Sequence, residues 1–297
     1  MRFERYNSGV RFTAAAVQIA PFKGDIEANA RQIGAAAARC SKEGADLVVF
    51  PETSLSGYFL EAGTADVALS ASEAMNKVAA QIGKPERDLD VIFGFYERAD
   101  GAIYNSSLHA SFSAGGANLV AVHRKFFLPT YGVFDEERFV ARGRQIEAYD
   151  TRFGRMSMLI CEEIWHSAAP MIAALKGAET IAAISASPAR NFAEGTFANL
   201  DRTRRLLRAI SEEHGVWCIN AMLVGFEGGK GFSGGSVVVD PSGRIVAEGP
   251  ALEEHILMAE IDLGEIERVR SQSPMLADLR SVLEDVTREI CEANDQS

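Results

Sequence analysis

Residues 154–167 read GRMSMLICEEIWHS, and Cys161 stands where the character of this stretch changes. Residues 155–160 form an apolar run with the length of a buried strand, and two glutamates interrupt it directly after the thiol. A strand that stops at a sharp turn into a helix presents its last side chain at the edge of the sheet, beside N–H groups that favour a thiolate. The stretch can therefore present a nucleophilic cysteine, although a lone cysteine after an apolar run is by itself more typical of a buried structural residue.

Extended and helical patterns alternate on both sides of this stretch. Strands are predicted at residues 12–20, 46–50, 90–96, 104–112, 118–123, 146–150, 155–160, 180–185, 216–222, 235–240, 245–248 and 256–261. Helices are predicted at residues 25–43, 65–82, 168–176 and 194–213. This alternation, with some hairpins, predicts an α/β domain whose sheet is covered by helices.

Composition and charge exclude several classes of protein. Hydrophobic residues make up 47% of the 297 residues and charged residues 24%, as in an ordinary globular protein with a substantial core. The formal charge of −11 argues against nucleic acid and anionic membranes as partners, because a phosphate-binding face needs a basic excess. No apolar stretch approaches the ~18 residues that span a bilayer.

The cysteines and histidines give no sign of a metal site. The four cysteines are far apart and lack the paired spacings of zinc sites or disulfide scaffolds, which predicts free thiols and a cytoplasmic protein. The five histidines include no HExxH pair. We therefore expect neither a metal nor a cofactor.

Three reactive side chains each follow a predicted strand. They are Glu52, Lys125 and Cys161, and in an α/β sheet such strand ends are where ligands bind. A desolvated carboxylate can act as the base for a thiol, and an ammonium with a backbone N–H can stabilise the oxyanion of acyl transfer. Taken singly, Glu52 is better explained as a helix-capping acid and Lys125 as a solvated lysine.

Three longer motifs support the functional interpretation of these residues. The chain reads LVVFPETSLSGY around Glu52, HRKFFLPTYGVFDEERF around Lys125 and LICEEIW around Cys161, with weaker echoes in SASPAR and FSGGS. In these motifs the chain resembles the nitrilase (carbon-nitrogen hydrolase) superfamily from about residue 12 to about residue 261. The resemblance implies a four-layer αββα sandwich that pairs into a larger sandwich in a homodimer or higher oligomer, and a Glu-Lys-Cys triad that works through a thioester.

The resemblance also implies a role for each residue of the triad. Cys161 would be the nucleophile, Glu52 the general base and later the acid, and Lys125 the oxyanion stabiliser together with the amide of Glu162. A second glutamate of the family matches Glu136, which would orient Lys125. The alternative for Glu136 is a solvated acid within residues 135–137.

The lysine and cysteine motifs look most like the glutamine-hydrolysing domain of glutamine-dependent NAD synthetases, without the synthetase domain. There, the tyrosine that matches Tyr131 lines the substrate pocket, and Tyr58 and Glu162 are further candidate substrate contacts. After the serine-proline pair, however, this chain departs from that branch and carries Arg190, which can clamp a substrate carboxylate or form a structural salt bridge.

The sequence thus predicts one domain over residues 1–297, with a core at about 12–262 and a helical extension at about 264–293. The extension carries an apolar stripe that suits either packing on the same domain or an oligomer contact, formed by Leu276, Leu279, Val282, Leu283, Val286 and Ile290.

The predicted activity is hydrolysis by water of a small carboxamide or N-carbamoyl compound, with release of ammonia. A nitrilase and a free-standing glutaminase subunit that supplies a partner synthetase are the alternatives, and a catalytically idle subunit is a third. Glu162 favours amides over nitriles, because true nitrilases commonly have tryptophan after the nucleophile.

Overall fold

Two six-stranded sheets face each other in the computed structural model, which describes residues 9–189, 192–193 and 196–295. The strands are β1 (Arg11–Gln18), β2 (Leu47–Val49), β3 (Leu89–Ala99), β4 (Ala102–Ser113), β5 (Gly116–Arg124), β6 (Tyr149–Thr151), β7 (Gly154–Ile160), β8 (Thr180–Ser185), β9 (Phe192–Ala193), β10 (Thr196–Phe197), β11 (Trp217–Met222), β12 (Val224–Glu227), β13 (Lys230–Ser233), β14 (Val237–Val239), β15 (Ile245–Glu248) and β16 (His255–Asp262).

The helices follow the same chain order. They are α1 (Ile26–Lys42), α2 (Thr64–Val67), α3 (Ala71–Ile82), α4 (Ala168–Leu175), α5 (Ala198–His214), α6 (Gly264–Gln272), α7 (Met275–Ser281) and α8 (Leu283–Asp295). Short 3₁₀ turns cover Glu61–Gly63, Glu136–Arg138 and Cys161–Trp165.

The first sheet has the strand order β16-β1-β2-β3-β4-β5, and the second has β15-β14-β11-β8-β7-β6. The central strands run parallel in both sheets, since β1, β2 and β3 pair in parallel and so do β7, β8 and β11. The strands β3, β4 and β5 form an antiparallel meander, so β5 ends at the same edge of the sheet as β2. This topology brings the residues after β2 and β5 together.

Side chains alternate between the two faces of each strand, and this alternation creates the layers of the fold. On β1, Ala14 and Ala16 pack between the two sheets, whereas Ala15 and Val17 pack beneath α1 and α3. The outer face of the second sheet is covered by α4, α5 and α7. The predicted four-layer αββα sandwich is therefore confirmed. Its pairing into a dimer stays a prediction.

The prediction of one helix over residues 65–82 is wrong. Ala68 is extended, Leu69 bridges to Glu97, and Ser70 then begins α3 with a capping box to Glu73. The cap makes a new helix start more favourable than a continuous one, although the helical spacing of the apolar residues runs through the break.

Two further predictions about strands differ from the structure. The strand expected at 146–150 is reduced to β6, which covers Tyr149–Thr151. The β12–β13 hairpin was not predicted, because its strands are four residues long and contain glycine. Gly228 and Gly229 form its turn with φ of 56° and 79°, a region that favours glycine.

The C-terminal stripe does not lie on one helix. Val282 interrupts it between α7 and α8, and of its six residues, all within the described part of the chain, only Leu276 is buried. Packing on the same domain is therefore confirmed for Leu276, and Leu283 and Val286 on α8 are half-buried, whereas an oligomer contact stays a prediction. Ile290 on α8 is 57% exposed.

Among the helices in the described ranges, there is none with the length and apolar character needed to cross a bilayer.

Candidate active site

Cys161 directly follows β7 and occupies a left-handed backbone conformation with φ of 48°. The five residues Cys161–Trp165 form a 3₁₀ turn, and α4 begins only at Ala168. The strand thus turns directly into a short helix of the 3₁₀ type, and the predicted position of the thiol at a strand end is confirmed. The thiol is nearly enclosed, with 7% of the residue exposed.

Glu52 lies beyond the end of β2 and is fully buried. Its Oε1 accepts hydrogen bonds from Asn105 Nδ2 at 2.8 Å and Lys125 Nζ at 2.7 Å, and its Oε2 accepts the backbone N–H of Ala186 at 2.8 Å. Gly94 makes room for this turn, since a Cβ at that position would lie 2.2 Å from the backbone nitrogen of Thr53. The capping-acid alternative for Glu52 is therefore wrong.

Lys125 directly follows β5, is fully buried and donates to two carboxylates. Its Nζ lies 2.7 Å from Oε1 of both Glu52 and Glu136. Burial works against the charged form, but the charges of Glu136 and Glu52 outweigh it and hold the pKa of Lys125 well above its usual value. Lys125 is therefore a fixed cation and not a solvated lysine.

Glu136 is 9% exposed, which excludes the solvated alternative for this residue. Its Oε1 accepts from Lys125 and also from the hydroxyl of Tyr58, while its Oε2 has no hydrogen-bond partner among the residues that the structure describes. Burial raises the pKa of Glu136, and the charge of Lys125 opposes that rise. The hydroxyl of Tyr58, a candidate substrate contact, is thus already used within the cluster.

Glu52, Lys125, Glu136 and Cys161 together form what we call the catalytic floor. Burial, and then the negative charge of Glu52, raise the pKa of the Cys161 thiol well above its usual value, while Lys125 and the backbone of Ala186 oppose the rise. The resting sulfur is thus a neutral thiol, which needs a base before it can attack.

Tyr131, Glu162 and His166 form a second group, here called the mouth cluster. The Tyr131 hydroxyl donates to Glu162 Oε2 at 2.8 Å, and His166 Nε2 lies 3.3 Å from Glu162 Oε1. Tyr131 is 46% exposed, whereas Glu162 is 9% exposed. Two of the candidate substrate contacts are therefore brought together beside the nucleophile, with His166 as an unexpected third member.

Glu163 is a functional candidate that the sequence did not single out. It is fully buried and contacts His123 and the backbone nitrogens of Ile160 and Phe126. The sequence signal that could have identified Glu163 was a second acidic residue, directly after Glu162, in an otherwise apolar turn. Its contacts were not predictable, because His123 and Phe126 belong to the lysine motif about 40 residues earlier.

Tyr58 and Glu136 also line a cavity of about 220 Å³. Its other walls include the aromatic residues Phe59, Tyr96, Phe134 and Phe139. Arg190, the candidate carboxylate clamp, lies outside the described residues. Among the residues that the structure does describe, no group of three His, Cys, Asp or Glu side chains is arranged to hold a metal ion.

Known proteins resemble this chain in sequence and in fold. The carbon-nitrogen hydrolase family matches residues 13–271. The glutamine-dependent NAD(+) synthetase of Aquifex aeolicus is 33% identical over 267 residues, which cover 86% of this chain and 42% of the synthetase. The chain spans less than half the length of the glutamine-dependent NAD(+) synthetases it matches.

Two shorter proteins match over nearly their whole length. An (R)-stereoselective amidase from a Pseudomonas species is 29% identical and is covered to 91%, with 90% of this chain. The crystal structure of a carbon-nitrogen hydrolase from Helicobacter pylori superposes with a TM-score of 0.77 at 26% identity, covering 90% of this chain and 95% of that one. With the family match extending over most of the sequence, this chain belongs to the carbon-nitrogen hydrolase family.

Proposed function

We propose that this protein is an amidase that hydrolyses a primary carboxamide or an N-carbamoyl compound through a thioester on Cys161, with release of ammonia. The observation that carries the proposal is the catalytic floor, in which a buried carboxylate, a buried ammonium and a neutral thiol meet at the ends of strands from both sheets. Acyl transfer needs a nucleophile, a base and a cation at the oxyanion, and the floor supplies all three.

In the first half of the reaction, Glu52 accepts the thiol proton of Cys161 as the sulfur attacks the amide carbon. The carbonyl oxygen becomes an oxyanion, which the Lys125 ammonium and the backbone N–H of Glu162 stabilise. When this intermediate collapses, the C–N bond breaks and Glu52 gives its proton to the leaving nitrogen. Ammonia departs and the acyl group remains on sulfur as a thioester.

In the second half, Glu52 accepts a proton from a water molecule as the water attacks the thioester carbon. The same two donors stabilise the second oxyanion. Collapse breaks the C–S bond, the carboxylic acid leaves, and the proton held by Glu52 returns to the Cys161 sulfur. One amide and one water are thus converted into one acid and one ammonia.

Lys125 suits a purely electrostatic role. Because its pKa is held well above the usual value by Glu136 and Glu52 against the effect of burial, it keeps its proton throughout the cycle. Glu136 supports this role by holding Lys125 from the side opposite Glu52, with both contacts at 2.7 Å.

The mouth cluster favours a substrate with an amino group. Glu162 presents a largely enclosed carboxylate next to the nucleophile, and His166 Nε2 lies 3.3 Å from its Oε1. A substrate ammonium can bind the same carboxylate, with the Tyr131 hydroxyl as a neighbour. An amino-acid amide fits this chemistry, and so does glutamine.

A second candidate function is therefore a glutaminase that supplies ammonia to a synthetase. It is favoured by the similarity to glutamine-dependent NAD(+) synthetases, whose name states that they depend on glutamine, and by the position of Tyr131 beside Glu162. The similarity to an (R)-stereoselective amidase favours a free-standing amidase instead.

The test is a screen for ammonia release from primary amides, carbamoyl amino acids, glutamine and nitriles. We expect turnover of at least one amide, none with Cys161→Ala, and full turnover with Cys291→Ala, which changes an exposed cysteine. Hydroxylamine should intercept the thioester as a hydroxamate.

Three results separate the alternatives. Turnover by Cys161→Ala at the wild-type rate would defeat the proposal. Turnover of nitriles alone would make the protein a nitrilase, and a strong preference for glutamine would identify the glutaminase.

A further inference from the structure

Glu163 connects the two backbone segments that carry Lys125 and Cys161. Its Oε1 accepts the N–H of Phe126 at 2.6 Å, and its Oε2 accepts the N–H of Ile160 at 2.5 Å. Phe126 is the residue after Lys125, and Ile160 is the residue before Cys161. One carboxylate therefore holds the immediate neighbours of both residues.

The two segments come from different sheets. Lys125 follows β5, which is the edge strand of the first sheet, and Cys161 follows β7 of the second. The separation of the ammonium and the sulfur therefore depends on how the two sheets meet at this edge. Glu163 is a direct hydrogen-bonded link between the sheets at that point.

His123 completes the environment of Glu163. Its Nε2 lies 2.8 Å from Glu163 Oε2 and 3.0 Å from Oε1, and it belongs to β5. The carboxylate is fully buried and accepts from three donors, which offsets the cost of removing its charge from water. Each oxygen also has its own backbone donor, an arrangement that an amide cannot reproduce, since its nitrogen accepts nothing.

We propose that Glu163 is a positioning residue, which sets the placement of the Lys125 ammonium relative to the Cys161 sulfur and thereby the stabilisation of the oxyanion. This inference rests on the proposed function for the roles of those two residues. Catalysis is sensitive to such placement, because a shift of about 1 Å in a catalytic group can cost about 100-fold in rate.

A purely structural role for Glu163 is the competing interpretation, and Glu179 provides a matched control. Glu179 is also buried and also accepts a backbone N–H from β7, that of Arg155 at 2.9 Å. Arg155 lies near the start of the strand, whereas Ile160 lies at its end next to Cys161. Glu163→Gln and Glu179→Gln thus disturb the same strand with the same chemistry at opposite ends.

The first readout is steady-state kinetics on the best amide found in the screen. We expect Glu163→Gln to lower kcat by about 10- to 100-fold with KM within about threefold of wild type. Glu179→Gln should leave kcat within about twofold of wild type, although both variants lower Tm. Equal kcat values in the two variants would overturn the proposal.

The second readout is the pH profile of Cys161 alkylation by iodoacetamide, followed by mass spectrometry of the Cys161 peptide. Lys125 lowers the pKa of Cys161, so a displacement of Lys125 away from the sulfur moves the profile to higher pH. We expect this shift in Glu163→Gln and not in Glu179→Gln. An unshifted profile in Glu163→Gln would overturn the proposal.

If Glu163→Gln does not fold, two His123 variants test whether Glu163 positions Lys125 relative to Cys161. His123→Ala removes a donor to Glu163, whereas His123→Gln retains one. The proposal requires a shifted profile in the alanine variant and its recovery in the glutamine variant, and it is overturned if the two behave alike. A wild-type protein that releases no ammonia from any amide would overturn the proposed function, while the alkylation profiles still decide on Glu163.

Discussion

The catalytic floor and the mouth cluster lie next to each other and are built in opposite ways. In the floor, every member is at least nine-tenths buried, and the Lys125 ammonium lies 2.7 Å from two carboxylates. In the mouth cluster, Tyr131 is 46% exposed and the pairing of Glu162 with His166 is a longer contact of 3.3 Å. In the proposed function, the reaction is therefore assigned to enclosed, multiply bonded groups, whereas substrate binding is assigned to a cluster with an exposed tyrosine and a longer contact.

Of the variants that test the difference between the floor and the mouth cluster, Glu52→Gln should lower kcat the most. Loss of the base lowers kcat by about 10,000-fold, at the upper end for general acid-base groups. The negative charge of Glu52 raises the pKa of Cys161, so its removal lowers that pKa and alkylation of Cys161 at a fixed pH should not slow. Rate assays and alkylation of the same preparation test both halves. Slower alkylation would show that Glu52 acts on sulfur as a base even without substrate.

Lys125→Met should be next, with kcat reduced by about 100- to 1000-fold, as for loss of an oxyanion donor. Since Lys125 lowers the pKa of Cys161, the alkylation profile should move to higher pH. The variant also leaves Glu52 and Glu136 buried without their cation, so Tm should fall. Unchanged kcat would show that Lys125 does not stabilise the oxyanion.

Tyr58→Phe removes the hydroxyl group that donates a hydrogen bond to Glu136 in the floor. The Tyr58 hydroxyl helps to lower the pKa of Glu136, which burial raises, so its loss raises that pKa further and the acid limb of the kcat profile should move to higher pH. We expect kcat to fall by about tenfold, the worth of one hydrogen bond to a charged group. Tyr149→Phe, which changes a tyrosine bonded to His109 away from the floor, is the control and should leave the acid limb in place.

Glu162→Gln should have the smallest effect, and we expect that effect in KM. Loss of the mouth carboxylate should raise KM about tenfold for amides that carry an ammonium, or about 1.4 kcal/mol of binding. Neutral amides should be unaffected, and so should all substrates in the exposed-site control Glu137→Gln. An equal rise in KM for both classes of amide would mean that the two clusters are not separable.

Three residues of the floor were more predictable from the sequence than the long-range contacts that hold the site together, for a physical reason. Glu52, Lys125 and Cys161 each follow an apolar strand, and the position of a strand end depends on local patterning. The hydrogen bond from Tyr58 to Glu136 joins residues 78 positions apart, and no local pattern encodes it. The link from Glu163 to His123 crosses between two sheets and was missed for the same reason.

The helical errors have a related cause. Ser70 starts a new helix inside a segment with continuous helical spacing, because a capping box competes successfully with one more turn. Periodicity also correctly gave α8 an apolar face, but it did not reveal that this face lies outside the core of the chain. Spacing predicts which side of a helix is apolar and says nothing of what covers it.

The glycine beneath the catalytic acid has a practical consequence for laboratory evolution. Any side chain at Gly94 would collide with the backbone that carries Glu52, so libraries that randomise codon 94 will be dominated by inactive clones. Codons 131, 162 and 166 encode the mouth cluster, which we propose contacts the substrate. Saturation of these three codons, with codon 94 left unchanged, is the most economical library for changing the substrate range.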